Sequence, residues 1–134
     1  MAEFNLRVVT PDGVFFDGLC KIVVVRTASG DVGIMAGHAK YLAPLSVGAC
    51  KVTSPDGSAR TAACCGGMIS VADNLVTIVA STFEWADEID VDRAQKAADK
   101  AKLRMDKLKK NDKEWKLAEF KLKRALNRIN IGKE

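Results

Sequence analysis

From Phe4 onward the hydrophobic positions follow a period of two. Phe4, Leu6 and Val8 alternate with polar residues up to Pro11-Asp12-Gly13, a turn tripeptide, so a strand is predicted there. Residues 20–26 carry Ile22-Val23-Val24-Val25, a β-branched run that suits a strand buried on both faces or at the centre of a sheet. Ser29-Gly30 turns the chain into Val32-Gly33-Ile34. Residues 49–53 and 59–65 flank Ser54-Pro55-Asp56-Gly57, a hairpin signal, and residues 68–71 and 75–80 flank Ala72-Asp73-Asn74, a second one. Short strands between regular turns predict a sandwich or barrel. The strand–long helix–strand rhythm of an α/β enzyme is missing from the pattern.

Near residue 88 the period changes. Val91, Ala94, Ala98, Ala101, Met105 and Leu108 are spaced three and four apart in alternation, the apolar seam of one helix. Asp90 can cap its start, Asp92 favours the positive end of the helix dipole, and Lys107, Lys109 and Lys110 are predicted in its last turn. Asn111 with Glu114 resembles a capping box for a second helix, whose seam is Trp115, Ala118, Leu122, Ala125 and Ile129. A short polar turn between two such helices predicts an antiparallel hairpin. Its first seam is mostly alanine, which allows close approach but buries little area, so the pair is marginal alone and able to undock. The predicted class is α+β in two parts. An N-terminal antiparallel β-sandwich (1–86) precedes a C-terminal antiparallel two-helix hairpin (87–134).

Charge sharpens this division. Residues 1–88 hold 6 Lys/Arg against 9 Asp/Glu, a net of −3, whereas residues 89–134 hold 15 against 8, a net of +7. The asymmetry points the hairpin toward an acidic partner or phosphate, with a solvated helix face as the plain alternative. No run of about 18 apolar residues occurs, so no membrane-spanning helix is expected. The N-terminus lacks a basic stretch followed by an apolar block, so no signal peptide is expected and an intracellular protein is predicted. Cys20, Cys50, Cys64 and Cys65 form no C-x-x-C pair, and His38 is the single histidine, so no metal site is expected. The cysteines are expected to be reduced, with Cys64 and Cys65 on opposite faces of a strand.

The candidate chemistry is sparse. His38 follows Gly37 with no nucleophile or carboxylate partner identifiable, which favours a structural or contact role. Gly66-Gly67 lacks the phosphate-loop pattern and a following helix, which favours a bulge or close backbone packing. Trp85, between the two parts, and Trp115, opening the second helix, are expected to be packing anchors. No catalytic residue is predicted.

End to end, the chain resembles the epsilon subunit of the bacterial F-type ATP synthase. The resemblance rests on Val8-Val9-Thr10-Pro11-Asp12-Gly13, on Gly30-Asp31-Val32-Gly33-Ile34-Met35-Ala36-Gly37-His38-Ala39, on the stretch from Gly66 to Ala80, on Ile89-Asp90-Val91-Asp92-Arg93-Ala94, and on Lys123-Arg124-Ala125-Leu126-Asn127-Arg128. Ala36 and Lys40 stand where the family usually or frequently has proline, and the paired Cys64-Cys65 is also a departure.

The resemblance implies a non-catalytic central-stalk subunit at the cytoplasmic face of the bacterial inner membrane. Its sandwich would bind the gamma subunit and the membrane c-ring, coupling ion flow to rotation and ATP synthesis. Its hairpin would rise toward the catalytic alpha and beta subunits and inhibit ATP hydrolysis. Met35, His38 and Tyr41 would be c-ring or gamma contacts. Family members that bind ATP use the I/L-D-x-x-R-A motif, an upstream acid and basic residues of both helices. That implies an ATP site at Glu84, Ile89, Asp90, Arg93, Ala94, Lys100, Arg124 and Arg128, with ATP as a regulatory ligand and no cofactor. Lys100 stands where a strong binder has arginine, and it lacks the guanidinium fork.

Two other readings stay open. One is a nucleic-acid-binding module using the basic hairpin, which lacks the aromatic interleaving expected for stacking on single strands. The other is a small enzyme using His38 and a cysteine thiolate, which has no base–nucleophile motif behind it.

Overall fold

The structure is a computed structural model that describes residues 2–110 and 112–132. The chain divides into two compact units, one running through Trp85 and the other starting at Ala86. The first unit contains β1 (Phe4–Thr10), β2 (Gly13–Cys20), β3 (Ile22–Thr27), β4 (Gly30–Met35), β5 (Tyr41–Pro44), β6 (Gly48–Thr53), β7 (Ala59–Cys65), β8 (Met68–Ala72), β9 (Leu75–Val79) and β10 (Thr82–Trp85). They form two five-stranded sheets in the orders β2-β1-β9-β8-β5 and β10-β7-β6-β3-β4.

The period-two pattern explains which side chains meet between the sheets. Phe4, Leu6 and Val8 of β1, Val23 and Val25 of β3, Ile69 and Val71 of β8, and Val76 and Ile78 of β9 are buried in one core. β3 lies inside its sheet, between β6 and β4, but buries one face: Ile22 and Val24 stay half-buried. The predicted turns close as hairpins. Asp73 and Asn74 both take positive φ (50° and 62°), the backbone that matches the strand twist between β8 and β9. Asp56 Oδ1 accepts from the Ser58 backbone N–H at 2.9 Å and fastens the turn between β6 and β7. β1 and β9 pair parallel. They belong to different hairpins far apart in sequence, so no tight turn forces them antiparallel.

β2 has no clean alternation, and the reason is a register shift. Val8 faces Phe16 whereas Val9 faces Val14, leaving Phe15 as the extra residue of a bulge. Consecutive phenylalanines thereby both reach Trp85. The Phe15 ring centroid lies 5.0 Å from Phe83 and 5.8 Å from Trp85, and Phe16 lies 6.0 Å from Trp85. The Arg60 guanidinium carbon sits 4.0 Å from the Trp85 ring centre. Trp85 is a packing anchor, but it closes the sandwich core rather than lying between the parts.

All four cysteines are free thiols. Cys64 packs in the core with Cys20 and Cys50, while Cys65 follows it on the other face of β7. Burial raises the Cys20 thiol above its ordinary value and the Cys50 thiol well above it, and burial with the neighbouring Cys65 pushes Cys64 up to about 12 from 9.0. In the unfolded chain the Cys64 thiol ionises near pH 9, but in the fold it keeps its proton to about pH 12. The folded state then binds more protons across that window, so stability is full below pH 9 and falls as pH rises toward 12. Denaturant midpoints measured from neutral to alkaline pH are expected to drop across this range. The drop should be shallower in Cys64→Ala, and equal slopes in the two proteins would refute the assignment.

The second unit begins with a 3-10 turn (Ala86–Glu88), followed by α1 (Val91–Lys107) and α2 (Lys113–Gly132). Asp90 caps α1, its side chain accepting from the Arg93 backbone N–H at 3.1 Å. α1 ends at Lys107, so Lys109 and Lys110 lie beyond it, and Arg104 and Lys107 are the cations of its last turn. Asn111, expected to cap α2, lies outside the described residues; the Lys116 N–H reaches the Asp112 carbonyl at 2.9 Å. The two seams meet as their spacing predicts. Ala94, Ala98, Ala125 and Ile129 form a buried cluster flanked by Val91 and Leu122. Opposite this cluster's end of α1, Arg104 binds Glu114 across the helices at 3.3 Å, an exposed pair. Such a surface pair contributes only about 0–1 kcal/mol.

Candidate functional site

Alanines bring α1 and α2 close, and the longer side chains beside them are basic. Between the helices runs a groove of about 260 Å³ whose floor is Ala97, Ala101, Ala118 and Ala125. Its walls are Lys100 and Arg104 of α1 and Lys121, Arg124 and Arg128 of α2. Among the described residues, no acidic one lines it. The positions follow from helical spacing: 97, 100, 101 and 104 share one face of α1, and 118, 121, 124, 125 and 128 share one face of α2. Five cations around one cleft repel each other, with Glu114 offsetting Arg104 from outside the groove, and a polyanion between them would relieve what repulsion remains. The ε nitrogen of Arg128 is buried, while the residue as a whole is half-buried beside the groove.

Lys100, Arg124 and Arg128, expected from the sequence, thus line one groove, and the structure adds Arg104 and Lys121. The stride of three from Lys121 through Arg124 is the sequence signal that marks Lys121. Arg104 was visible one turn beyond Lys100. Ile89, Asp90 and Arg93 lie at the start of α1 and do not line the groove. Ala94 is fully buried in the helix seam, so its side chain has no surface to offer. Glu84 is in β10, in the other unit. One oxygen of Asp90 is engaged by the Arg93 amide, which leaves the other for a ligand donor.

The second candidate cluster lies in the sandwich unit. Gly37, at φ +81°, turns the chain after β4. His38 Nδ1 lies 2.7 Å from the Ala39 carbonyl oxygen, and its ring meets Tyr41 edge-on at 5.8 Å. A carbonyl only accepts, so Nδ1 is the donor in this contact. His38 and Tyr41 are therefore together, and Met35 ends β4 beside this loop in sequence, exposed like Leu42. Burial holds the Cys20, Cys50 and Cys64 thiols protonated, so these cysteines supply no thiolate nucleophile for a histidine base. Among the described residues, no group of three or more His, Cys, Asp or Glu could hold a metal ion. No helix among them is long and apolar enough to cross a membrane.

A family model described as the ATP synthase delta/epsilon chain β-sandwich domain matches residues 3–86, and the long α-helix domain of the same family matches residues 87–133. The chain belongs to the ATP synthase delta/epsilon family. Within that family it resembles the bacterial epsilon chains. It is 44% identical over 133 residues to the ATP synthase epsilon chain of Ruminococcus albus, covering 98% of each chain. It is 38% identical over 131 residues to that of an Exiguobacterium species, covering 98% of this chain and 96% of the relative. The fold recurs in the mitochondrial ATP synthase of Euglena gracilis. There the TM-score is 0.79 at 23% identity, over 92% of this chain and 77% of that one. It recurs again in the central stalk and c-ring structure of the Tetrahymena thermophila mitochondrial enzyme, with a TM-score of 0.64 at 15% identity. That superposition covers 96% of this chain and 95% of the other. Membership of the epsilon family makes the chain a subunit of a larger complex, and the five-cation groove is then a candidate ligand site on that subunit.

Proposed function

We propose that this chain is the non-catalytic central-stalk subunit of a bacterial F-type ATP synthase and that its hairpin senses ATP. In this reading the sandwich binds the gamma subunit and the c-ring, and the complex works at the cytoplasmic face of the membrane. The basic hairpin rises to the catalytic alpha and beta subunits to restrain ATP hydrolysis. The two structural neighbours come from assemblies that contain the c-ring and, in Tetrahymena thermophila, the central stalk, which supports the stalk partners. The surface of the sandwich agrees with protein contacts: Met35, Leu42, Val14 and Val79 are exposed apolar side chains on different strands. A hollow near the start of α2, lined by Trp115 and Phe120 with three lysines (Lys110, Lys116 and Lys123) against one acid (Glu119), suits an acidic protein surface.

The observation that carries the ATP reading is the acid-free, five-cation groove shared by both helices. At about 260 Å³ it is smaller than the ~300–1,000 Å³ typical of small-molecule sites, so it fits a triphosphate better than a whole nucleotide. The base would then lie outside the groove, with the free Asp90 oxygen and Arg93 as candidate partners toward the start of α1. ATP would be a ligand of the closed hairpin and not a substrate. It shifts the hairpin only by its differential affinity for the closed state, and at a hundred times Kd that is worth about 2.7 kcal/mol.

Calorimetric titration of ATP into the full chain tests this. Saturable binding is expected, about 10–100-fold weaker in Arg124→Ala because one or more charge-assisted hydrogen bonds are lost. Lys100→Arg should bind more tightly, since it restores the planar fork. No heat up to millimolar ATP would refute the sensing role. Steeply salt-dependent binding of oligonucleotides in its place would favour the nucleic-acid reading.

A further inference from the structure

The last described residue of α2 is a glycine in an unusual setting. A glycine at a helix end commonly adopts the left-handed conformation that terminates the helix. Gly132 does not: it remains within α2 and is not among the glycines of positive φ. In a helical conformation glycine is about 1 kcal/mol worse than alanine, so backbone freedom does not account for it. Space does. A β carbon at 132 would lie 2.8 Å from Val91 Cγ2, and 3.1 Å and 3.3 Å from Ile89 Cγ2 and Cβ. Carbon atoms prefer about 3.5–4.0 Å, so the absence of a side chain is what allows this approach.

We propose that Gly132 is a positioning residue: its bare backbone in α2 lets that helix clamp Ile89-Asp90-Val91 and hold the start of α1 in register with the cationic groove. The clamp acts at one end of the hairpin and Arg104–Glu114 at the other, with the groove between them. The segment it grips carries the cap that orders Arg93 and Ala94. The Arg93 amide donates to Asp90 Oδ1 at 3.1 Å, and the Ala94 amide to the Asp90 carbonyl at 3.0 Å. The 3-10 turn just before Ile89 also packs on α2, so the whole entry into α1 leans on that helix. As far as it concerns ligand binding, this inference rests on the ATP reading above; the clamp itself does not.

The test uses the full chain as Gly132→Ala, Gly132→Val, Val91→Ala and the Val91→Ala/Gly132→Ala double variant. The readouts are amide hydrogen exchange at Arg93 and Ala94 and the affinity for ATP. In Gly132→Val, exchange at these two amides is expected to accelerate by about fivefold or more, the lower end of what overpacking costs. The core amides of β3 should be unchanged, and ATP binding should weaken by a similar factor. Gly132→Ala should have a smaller effect, which shrinks further in the Val91→Ala background, where the γ carbon it would meet is gone. Unchanged exchange at Arg93 and Ala94 overturns the clamp whether or not ATP binds. An equal Gly132→Ala effect with Val91 present or removed overturns it too, because the contact would then not be the cause. Faster exchange in a protein that takes up no ATP supports the clamp and refutes the ATP reading alone.

Discussion

Gly67→Ala is expected to leave much of the sandwich unfolded under conditions where the parent is native. A β carbon at this position would sit 1.9 Å from the Val79 carbonyl oxygen and 2.8 Å from Ala80 Cα, both backbone atoms that cannot rotate away. The residue also has a φ of +107°, outside the regions an alanine occupies comfortably. The strained backbone and the overpacking each cost about 1–3 kcal/mol, so a loss of roughly 2–6 kcal/mol is expected. That is a large share of the ~5–15 kcal/mol that holds a typical domain. The loss would also disturb the Gly67 carbonyl, which accepts the Leu45 amide at 2.8 Å. Gly66→Ala is the control. Its φ of +67° lies in the left-handed region that other residues can visit, and its β carbon would meet only Ser81 Oγ at 3.4 Å. Chemical denaturation of both variants, followed by Trp85 fluorescence, should separate them clearly. A Gly67→Ala penalty no larger than that of Gly66→Ala would refute the account.

The glycine pair also shows what a sequence can and cannot disclose. Missing a phosphate-loop pattern, Gly66-Gly67 is legible as close backbone packing, and Gly67 is packed in that way. Which backbone it meets depends on β9 ending beside it, and that is a tertiary fact. Elements whose local period agreed with their burial were legible: β1, the hairpins of β6–β7 and β8–β9, and both helix seams. β2 was not, because its bulge puts both Phe15 and Phe16 against Trp85 and erases the alternation. β5 and β10 have four residues each, too few to show a period.

The same division holds at the candidate site. Helical spacing places Lys100 on one face of α1 and Arg124 and Arg128 on one face of α2, but the pairing of those faces rests on the alanine floor between them. By spacing, the floor residues Ala101, Ala118 and Ala125 belong to the helix seams, and in the structure they serve both as packing and as the bottom of a groove. Gly132 gave no signal at all: a glycine near a helix end reads as a terminator until the distance to Val91 is known.

Ala98→Leu is expected to melt the hairpin while leaving the sandwich folded. Ala98 is fully buried between Ala94 on its own helix and Ala125 and Ile129 on the other. Three added carbons have no volume to enter, so the helices must separate at a cost of about 1–3 kcal/mol, occasionally more. In a large core that would be tolerated. Here the seam is mainly alanine and the cross-helix ion pair is exposed, so the unit has little stability to spare. The helical far-UV signal should fall, and Trp115 emission should move toward that of a solvated indole. Trp85 emission should not change, because that ring belongs to the sandwich core. ATP affinity should fall with the helical signal, since the groove exists only while α1 and α2 stay close. An unchanged hairpin melting profile would refute this. It would mean that the seam has slack, and a seam with slack could not keep five cations around a single cleft. The expected sensitivity and the proposed switch have one physical origin. A ligand that supplies a few kcal/mol can decide between two hairpin states only if the packing that separates them is no stronger than that.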